Sequence, residues 1–176
     1  MFTDNPYKGK RVMVTGHTGF KGSWLSLWLI TLGAEVIGYG LEPKTPKDNF
    51  VLSGLTDRMN DCRADIRDKE KLFEVIRKEK PDIIFHLAAQ SLVLEGYRDP
   101  LQTFEVNIQG TANILEAFRQ SDTASVLMVV TTDKVYENKE WIWGYRESDR
   151  LGGSDPYSAS KSAVEMVVAS YHNSFF

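Results

Sequence analysis

A glycine-rich loop between a short apolar segment and a helix constrains this sequence more than any other feature. Residues 11–15 are rich in β-branched side chains and predict a buried strand. Gly16, Gly19 and Gly22 follow with the spacing G-x-x-G-x-x-G, and residues 20–32 carry apolar side chains at helical spacing. These glycines allow a tight turn, close approach of the backbone to a pyrophosphate, and close packing of the helix on the strand. The combination predicts a dinucleotide-binding unit, with a purely structural turn as the alternative.

The alternation of strand and helix continues along the chain. Further strands are predicted at residues 35–39, 61–64, 82–86 and 125–130. Helices are predicted at residues 68–80, 101–120 and 155–171, with a loop over residues 41–56. This order is typical of a parallel sheet with helices on both faces. We therefore predict an α/β fold with a doubly wound, Rossmann-like sheet, in which ligands lie beyond the carboxyl ends of the strands.

Composition limits the function classes that remain. Hydrophobic residues make up 42% of the 176 residues and charged residues 26%, as in globular domains. The formal net charge of −3 argues against nucleic-acid binding. No apolar stretch suggests a membrane span or a signal peptide, so we expect no membrane partner and a cytoplasmic location. A single cysteine, Cys62, argues against a disulfide within the chain and a multi-cysteine metal site, and no metal is expected.

Three segments that follow strands supply the predicted cofactor contacts. The contacts in the glycine-rich loop are Gly16, Thr18, Gly19, Phe20, Lys21 and Gly22. Asp65 could accept a hydrogen bond from an adenine amino group, and Ile66 could pack on the ring; a helix N-terminal acid is the alternative for Asp65. The third segment consists of Leu87, Ala88 and Ala89, in which the two adjacent alanines let the backbone lie against a flat ligand. His17 and Lys21 are expected to be exposed loop side chains, with phosphate contact as the alternative.

The end of the second predicted strand bears on the choice between NAD and NADP. An NAD site often places an acid there, against the adenosine ribose. Gly40 occupies that place, and Glu42 follows two residues later. No arginine is adjacent in the sequence, and Lys44 is the only nearby base. Because a 2′-phosphate is usually bound by arginine, the sequence favours NAD and leaves NADP open.

Candidate catalytic residues follow the fifth strand and begin the last helix. Thr132, Asp133 and Lys134 place a hydroxyl, an acid and an amine together, with a surface turn as the alternative. Tyr157 and Lys161 are four residues apart and share one face of a helix. A nearby ammonium favours the phenolate form of a tyrosine, which makes it a usable general base. His86, at the end of the fourth strand, is expected to be a packed histidine and not a catalytic base.

The chain resembles the extended short-chain dehydrogenase/reductase family. The motifs that carry this resemblance are TGHTGFKG at residues 15–22, HLAAQ at 86–90, VNIQGT at 106–111 and YSASK at 157–161. Two further stretches, TTDKVYEN at 131–138 and WIWGYRESDRLGGSDPYSASK at 141–161, resemble the sugar-nucleotide 4,6-dehydratases of that family. The resemblance implies an NAD-dependent lyase acting on a sugar nucleotide, with CDP-glucose favoured. It also implies a homodimer paired through the helices predicted at 101–120 and 155–171.

The resemblance also assigns roles to the candidate residues. Tyr157, helped by Lys161 and Thr132, would take the proton of the sugar C4 hydroxyl, and Tyr157 and Lys161 would contact the cofactor. Asp133 would protonate the departing C6 hydroxyl, and Lys134 is the candidate base at C5. The alternatives are a related epimerase or reductase and a non-catalytic NAD-binding or dimer-forming protein. The aromatic loop at residues 141–146 could cover the sugar, pack in the core or contact another subunit.

The chain departs from the family in two respects. Ser91 and Leu94 stand where the family commonly has proline and arginine, in a loop that could hold the sugar nucleotide. Family members are also about twice this length. We therefore expect residues 1–176 to form one NAD(P)-binding Rossmann-like domain, with the last strands of the sheet and the substrate domain absent from this chain.

Overall fold

Five parallel strands form one sheet in the order β3-β2-β1-β4-β5 in a computed structural model that describes residues 5–176. Residues 1–4, part of the segment expected to lack a signal peptide, lie outside the described residues. The strands are β1 (Arg11–Thr15), β2 (Glu35–Gly40), β3 (Asn60–Arg63), β4 (Ile83–His86) and β5 (Val126–Val129). All five were predicted to within two residues at either end. The parallel Rossmann-like sheet is therefore confirmed.

The helices connect these strands in the predicted order. The long ones are α1 (Phe20–Thr31), α3 (Lys69–Glu79), α6 (Gly110–Arg119) and α7 (Pro156–Phe175). The short ones are α2 (Asn49–Leu52), α4 (Val93–Arg98) and α5 (Pro100–Phe104). Among the described residues, no helix is both long and apolar enough to cross a membrane.

Two short helices and one helix irregularity differ from the prediction. The segment predicted as a loop at residues 41–56 contains α2, because Phe50 is buried and fixes this one turn against the domain. Helix α4 was not predicted at all. The helix predicted at 101–120 is divided by a π-helical segment, Glu105–Gln109, between α5 and α6. Such π-helical turns often occur at functional sites.

The core consists of two apolar layers, one on each face of the sheet. On one face, Met13 and Ile37 pack with side chains of α3 and α6, including Leu72 and Ile114. On the other face, β1, β2 and β4 pack against Leu29 of α1. At β5 the described helices cover one face only, since Val126 and Met128 are 47% and 52% exposed. One face of strand β5 is therefore partly exposed.

Candidate active site

The glycine-rich loop lies tightly against the segment that follows β4. Gly16 has a φ of +73°, and a Cβ there would lie 2.8 Å from the backbone nitrogen of Ala88. A Cβ at Gly22 would overlap the carbonyl oxygen of Gly16. Only glycine satisfies the backbone angle and the close approach at residue 16. The loop thus brings the N-terminus of α1 next to the predicted contacts at residues 87–89.

Among the described residues, the N-terminus of α1 has no side-chain cap, in contrast to those of α3 and α7. Gly19 is its N-cap residue, and its first turn contains no acid. By contrast, Asp68 and Asp155 accept hydrogen bonds from backbone N–H groups at the starts of α3 and α7. The free N–H groups and the helix dipole of α1 favour an anion at this end. The loop therefore fits the diphosphate of a dinucleotide.

His17 is not the exposed loop side chain that we expected. It is fully buried, and its Nε2 lies 2.7 Å from Oδ1 of Asp61 on β3. Its ring crosses β2 at Gly38, where any Cβ would overlap it, and meets the Phe50 ring edge-on at 5.2 Å. Burial lowers the pKa of His17, although hydrogen bonding to Asp61 opposes the shift. The glycines of β2 leave the space that admits the imidazole, so sequence spacing alone did not reveal it.

Lys21 and Phe20, two other predicted loop contacts, are exposed on the first turn of α1. The side chain of Phe20 is 77% exposed. The positive charge of Lys21 contributes to lowering the pKa of Lys161. Thr18, by contrast, is largely buried, and its hydroxyl donates to the carbonyl oxygen of Leu41 at 2.9 Å.

His86 is packed at the end of β4, as expected, and holds three elements together. Its Nδ1 lies 2.8 Å from the hydroxyl of Thr15, and its Nε2 lies 3.0 Å from that of Thr111. Because Thr111 donates to the carbonyl of Asn107, it accepts from Nε2–H of His86. The ring is therefore the neutral Nε2–H tautomer. Full burial, with a smaller contribution from Lys161, lowers the pKa of His86 to about 3.

Asn107, in the π-helical segment, is a positioning residue that our sequence reasoning did not single out. Its Oδ1 accepts from the backbone nitrogen of Gln90, and its Nδ2 donates to the carbonyl oxygen of Gln90. The same Nδ2 donates to Oγ of Ser160, which in turn donates to the carbonyl oxygen of Tyr157. A polar residue on the apolar side of the predicted helix was the signal that could have revealed it. The amide fixes the loop after β4 to the start of α7.

Thr132, Asp133 and Lys134 lie directly beyond the carboxyl end of β5. The hydroxyl of Thr132 donates to Oδ1 of Asp133 at 2.9 Å, and Nζ of Lys134 lies 3.9 Å from the same oxygen. The side chains of Asp133 and Lys134 are 83% and 53% exposed. They line an open cavity of about 760 Å³, together with Asp155 and Ser158 at the start of α7. The predicted acid and amine therefore face a space large enough for a ligand.

Tyr157 and Lys161 lie on the first two turns of α7. Pro156 begins this helix, and both carboxylate oxygens of Asp155 accept hydrogen bonds from Ser158. Lys161 is 5% exposed, and its Nζ donates to the carbonyl oxygen of Val130 at 3.1 Å. Burial lowers the pKa of Lys161 to about 8, while the carboxylate of Glu165 opposes this shift. The ammonium is thus held between α7 and the end of β5.

The two predicted adenine contacts have other partners in the structure. Arg67 donates to both carboxylate oxygens of Asp65, and these hydrogen bonds lower the pKa of Asp65. Ile66 is 5% exposed and packs in the core against Gly110. The side chain of Ile66 thus makes core contacts in this structure, and its contact with an adenine ring stays a prediction. Its backbone still lies next to Asp65 beyond β3.

An arginine that is not adjacent in the sequence lies beside the end of β2 in the structure. Arg63 ends β3 and pairs in register with Gly40. Its Nη1 lies 3.5 Å from Oε2 of Glu42. Sequence adjacency did not reveal this arginine, because Arg63 is distant from Glu42 in the chain and reaches it through the pairing of β2 with β3.

The two remaining loops at this end of the sheet are largely exposed. Leu94, on α4, is 71% exposed, and the neighbouring Glu95 pairs with Arg98 at 2.6 Å. In the aromatic loop, Trp143 is 69% exposed, which excludes the core-packing alternative for this side chain. Tyr145 stacks on Tyr136 at 5.3 Å, at the edge of the cavity lined by Asp133. The aromatic loop therefore borders the candidate site.

Sequence comparison relates the chain to a family of sugar-nucleotide enzymes. The profile of the GDP-mannose 4,6-dehydratase family matches residues 13–176. CDP-glucose 4,6-dehydratase of Salmonella typhimurium is 49% identical over 176 residues, which are 100% of this chain and 49% of that protein. The chain thus spans about half the length of this curated relative.

Solved structures agree with the fold. UDP-glucose 4-epimerase from Thermotoga maritima superimposes with a TM-score of 0.84 at 24% identity, over 94% of this chain and 52% of that one. At that identity the likeness shows the fold alone. A dTDP-glucose 4,6-dehydratase from Streptomyces venezuelae, solved as a double mutant with NAD bound, has a TM-score of 0.80 at 28% identity. Its match covers 94% of this chain and 52% of that one.

Proposed function

The chain belongs to the GDP-mannose 4,6-dehydratase family, and from that premise we propose that it carries the cofactor-binding and catalytic part of an NAD-dependent dehydratase acting on CDP-glucose. The observation that carries the proposal is the position of Asp133 and Lys134 at an open cavity beside the start of α7. A dehydratase needs an acid and a base for elimination in addition to the tyrosine that serves C4 oxidation.

We propose that NAD lies across the carboxyl ends of the strands, with its diphosphate at the uncapped N-terminus of α1. Gly16, Thr18, Gly19, Phe20, Lys21 and Gly22 would form the diphosphate loop. Asp65 and Ile66 would lie at the adenine end, and Leu87, Ala88, Ala89, Tyr157 and Lys161 at the nicotinamide end. When bound, NAD would supply a hydride acceptor for C4 and a hydride donor for C6.

The first step assigned to the chain's own residues is proton removal. The phenol of Tyr157 would take the proton of the C4 hydroxyl, while Thr132 donates a hydrogen bond to the sugar. The ammonium of Lys161, held by the carbonyl of Val130, would stabilise the phenolate. Its lowered pKa of about 8 keeps it mostly protonated at neutral pH, as this role requires.

The second step is elimination of water across C5 and C6. The 4-keto group acidifies the hydrogen at C5, which the amine of Lys134 would remove. The carboxyl group of Asp133 would protonate the C6 hydroxyl as the C6–O bond breaks, and water leaves. Their exposure supports a role at a substrate-facing surface, because both side chains are open to a ligand from the cavity side.

The test is incubation of the 176-residue chain with NAD and CDP-glucose, followed by mass spectrometry of the nucleotide sugar. A product one water lighter, lost in Asp133→Asn and retained in Asp122→Asn at an exposed position before β5, supports the proposal. A product of unchanged mass but altered C4 configuration would favour the epimerase alternative. NAD binding without any product would favour the non-catalytic NAD-binding alternative for this chain.

The proposal extends to assembly and location. Exposed apolar side chains lie on α4, α5 and α7, at Leu94, Leu101 and Met166, and support a homodimer paired through this side of the molecule. Light scattering of the chain would give twice the monomer mass if this is correct, and the monomer mass if it is not. The proposed location is cytoplasmic, which rests on the sequence features alone.

A further inference from the structure

The end of β2 carries a pair of opposite charges that the proposed dehydratase chemistry does not use. Nη1 of Arg63 lies 3.5 Å from Oε2 of Glu42 and donates to the carbonyl oxygen of Leu41 at 3.3 Å. Arg63 is the register partner of Gly40, the residue at which an NAD-selective site would place its acid. The pair therefore lies at the ribose end of the proposed cofactor site.

Packing explains why residue 40 itself carries no acid. A Cβ at Gly40 would lie 3.3 Å from Nδ1 of His17 and 3.4 Å from Cα of Gly16. A side chain at this position would require the buried imidazole or the glycine-rich loop to shift by a few tenths of an ångström. The first acid that follows β2 is Glu42, and its side chain is 76% exposed. It can approach a ribose without disturbing the core.

Arg63 is held in place by two further contacts. Its Nη2 donates to Oδ2 of Asp61 at 2.7 Å, and its guanidinium lies over the Phe50 ring at 4.7 Å from the centroid. Phe50 is 1% exposed, so this platform is rigid. Because a guanidinium remains charged at all ordinary pH values, Arg63 presents a permanent cation to Glu42.

We propose that Glu42, positioned by Arg63, selects NAD by accepting a hydrogen bond from the adenosine 2′-hydroxyl, and that Arg63 is a latent anchor for a 2′-phosphate. The inference rests on the proposed function, since it deepens the cofactor choice of that site. His17 is neutral, so the charged groups here are the two negative carboxylates of Asp61 and Glu42 and the one positive guanidinium of Arg63. Their sum is negative. The excess negative charge repels a 2′-phosphate, whereas a hydroxyl can donate to Glu42. Removal of Glu42 leaves Nη1 of Arg63 without its carboxylate partner and available to a phosphate oxygen.

The test is calorimetric titration of the 176-residue chain with NAD and NADP, and with the fragments 5′-AMP and 2′,5′-ADP. Wild type is expected to bind NAD about tenfold more tightly than NADP, the effect of one good polar contact. In Glu42→Ala, NADP and 2′,5′-ADP should bind about tenfold more tightly than to wild type. In Glu42→Ala combined with Arg63→Met, that gain should disappear. Matched controls are Glu35→Ala, at the opposite end of β2, and Arg58→Met, on the turn before β3.

Three results would overturn the inference. One is equal binding of NAD and NADP by the wild type. Another is a ratio of NAD affinity to NADP affinity in Glu42→Ala that equals the wild-type ratio. The third is a gain in the double variant as large as in Glu42→Ala alone. If the wild type binds neither nucleotide nor fragment, the proposed function itself fails. If NAD binds but Glu42→Ala does not change the ratio of NAD affinity to NADP affinity, only the inference fails. Because Glu42 is exposed, its substitution leaves folding intact, and thermal unfolding checks this for Arg63→Met.

Discussion

Nδ2 of Asn107 donates a hydrogen bond to Oγ of Ser160 at 2.8 Å, joining two segments 53 residues apart in the chain. The same amide exchanges two hydrogen bonds with the backbone of Gln90. Oγ of Ser160 then donates to the carbonyl oxygen of Tyr157. One buried side chain in a π-helical turn thus connects the loop after β4 to the start of the candidate catalytic helix.

Replacing Asn107 should test this connection directly. Asn107→Ala leaves the N–H and C=O of Gln90 buried without their partner, and should lower the free energy of unfolding by about 2–4 kcal/mol. Urea denaturation measures the loss. Asn60→Ala, at an exposed position on β3, is the control and should change stability by less than about 0.5 kcal/mol. Equal losses in the two variants would contradict a bridging role for Asn107.

Acid should destabilise the fold through His86. Its pKa is about 3 in the folded chain and about 6.5 when unfolded. Its contribution to stability is therefore complete above pH 6.5 and is lost as the pH falls toward 3, because the unfolded state takes up the proton first. Within that window the slope from one histidine is about 1.4 kcal/mol per pH unit. Buried His17 has a lowered pKa and acts in the same direction.

The measurement is the pH dependence of the free energy of unfolding for wild type and His86→Gln. The variant should show a smaller slope below pH 6.5 than the wild type. Asn173→Gln, a change without a titratable group on an exposed part of α7, should leave the slope unchanged. A slope in His86→Gln as steep as in wild type would show that His86 does not carry the effect.

Lys161 should reduce stability while serving the proposed chemistry. Burial lowers its pKa to about 8 from an ordinary value of 10.5, so the folded chain releases this proton before the unfolded chain does. Its contribution to stability is therefore least favourable below pH 8 and improves as the pH rises to about 10.5. Lys161→Met removes the buried charge and should raise the free energy of unfolding at pH 7 by about 1–3 kcal/mol.

The measurement is the free energy of unfolding of Lys161→Met and of the wild type, obtained by urea denaturation at pH 7 and at pH 10. The stabilisation should shrink at the higher pH, and any dehydratase activity should be absent at both. Lys47→Met, at an exposed loop position, should alter neither stability nor activity. A Lys161→Met chain less stable than wild type at pH 7 would contradict the burial penalty.

Gly110 should not tolerate alanine, although it begins a helix. A Cβ there would lie 2.7 Å from Cγ2 of Ile66, which is buried beneath α6. Gly110→Ala should therefore lower the free energy of unfolding by about 1–3 kcal/mol, against the usual helical preference for alanine. In the double variant with Ile66→Ala, the combined loss should be smaller than the sum of the two single losses. Gly144→Ala, where a Cβ meets no atom within 4 Å, is the control. Additive losses would show that the two positions do not touch.

Local pattern was enough to predict the strands, the long helices and the glycine-rich loop. β-branched runs and helical spacing report directly whether a segment is buried on both faces or along one stripe. The short helix α2 was missed because its single turn depends on the burial of Phe50 beneath residues distant in sequence. The interruption at Glu105–Gln109 was missed for a similar reason, since its cause is the anchoring of Asn107 by Gln90 and Ser160.

The sequence by itself determined the parallel α/β fold and the set of candidate catalytic side chains, because both depend on residue type and spacing within one segment. The tertiary structure alone decided that His17 is buried, that Ile66 packs in the core, and that Arg63 lies beside Glu42. Each of these depends on the register between β2 and its neighbours or on helix packing. Such contacts join residues far apart in the chain, and spacing along the chain carries no information about them.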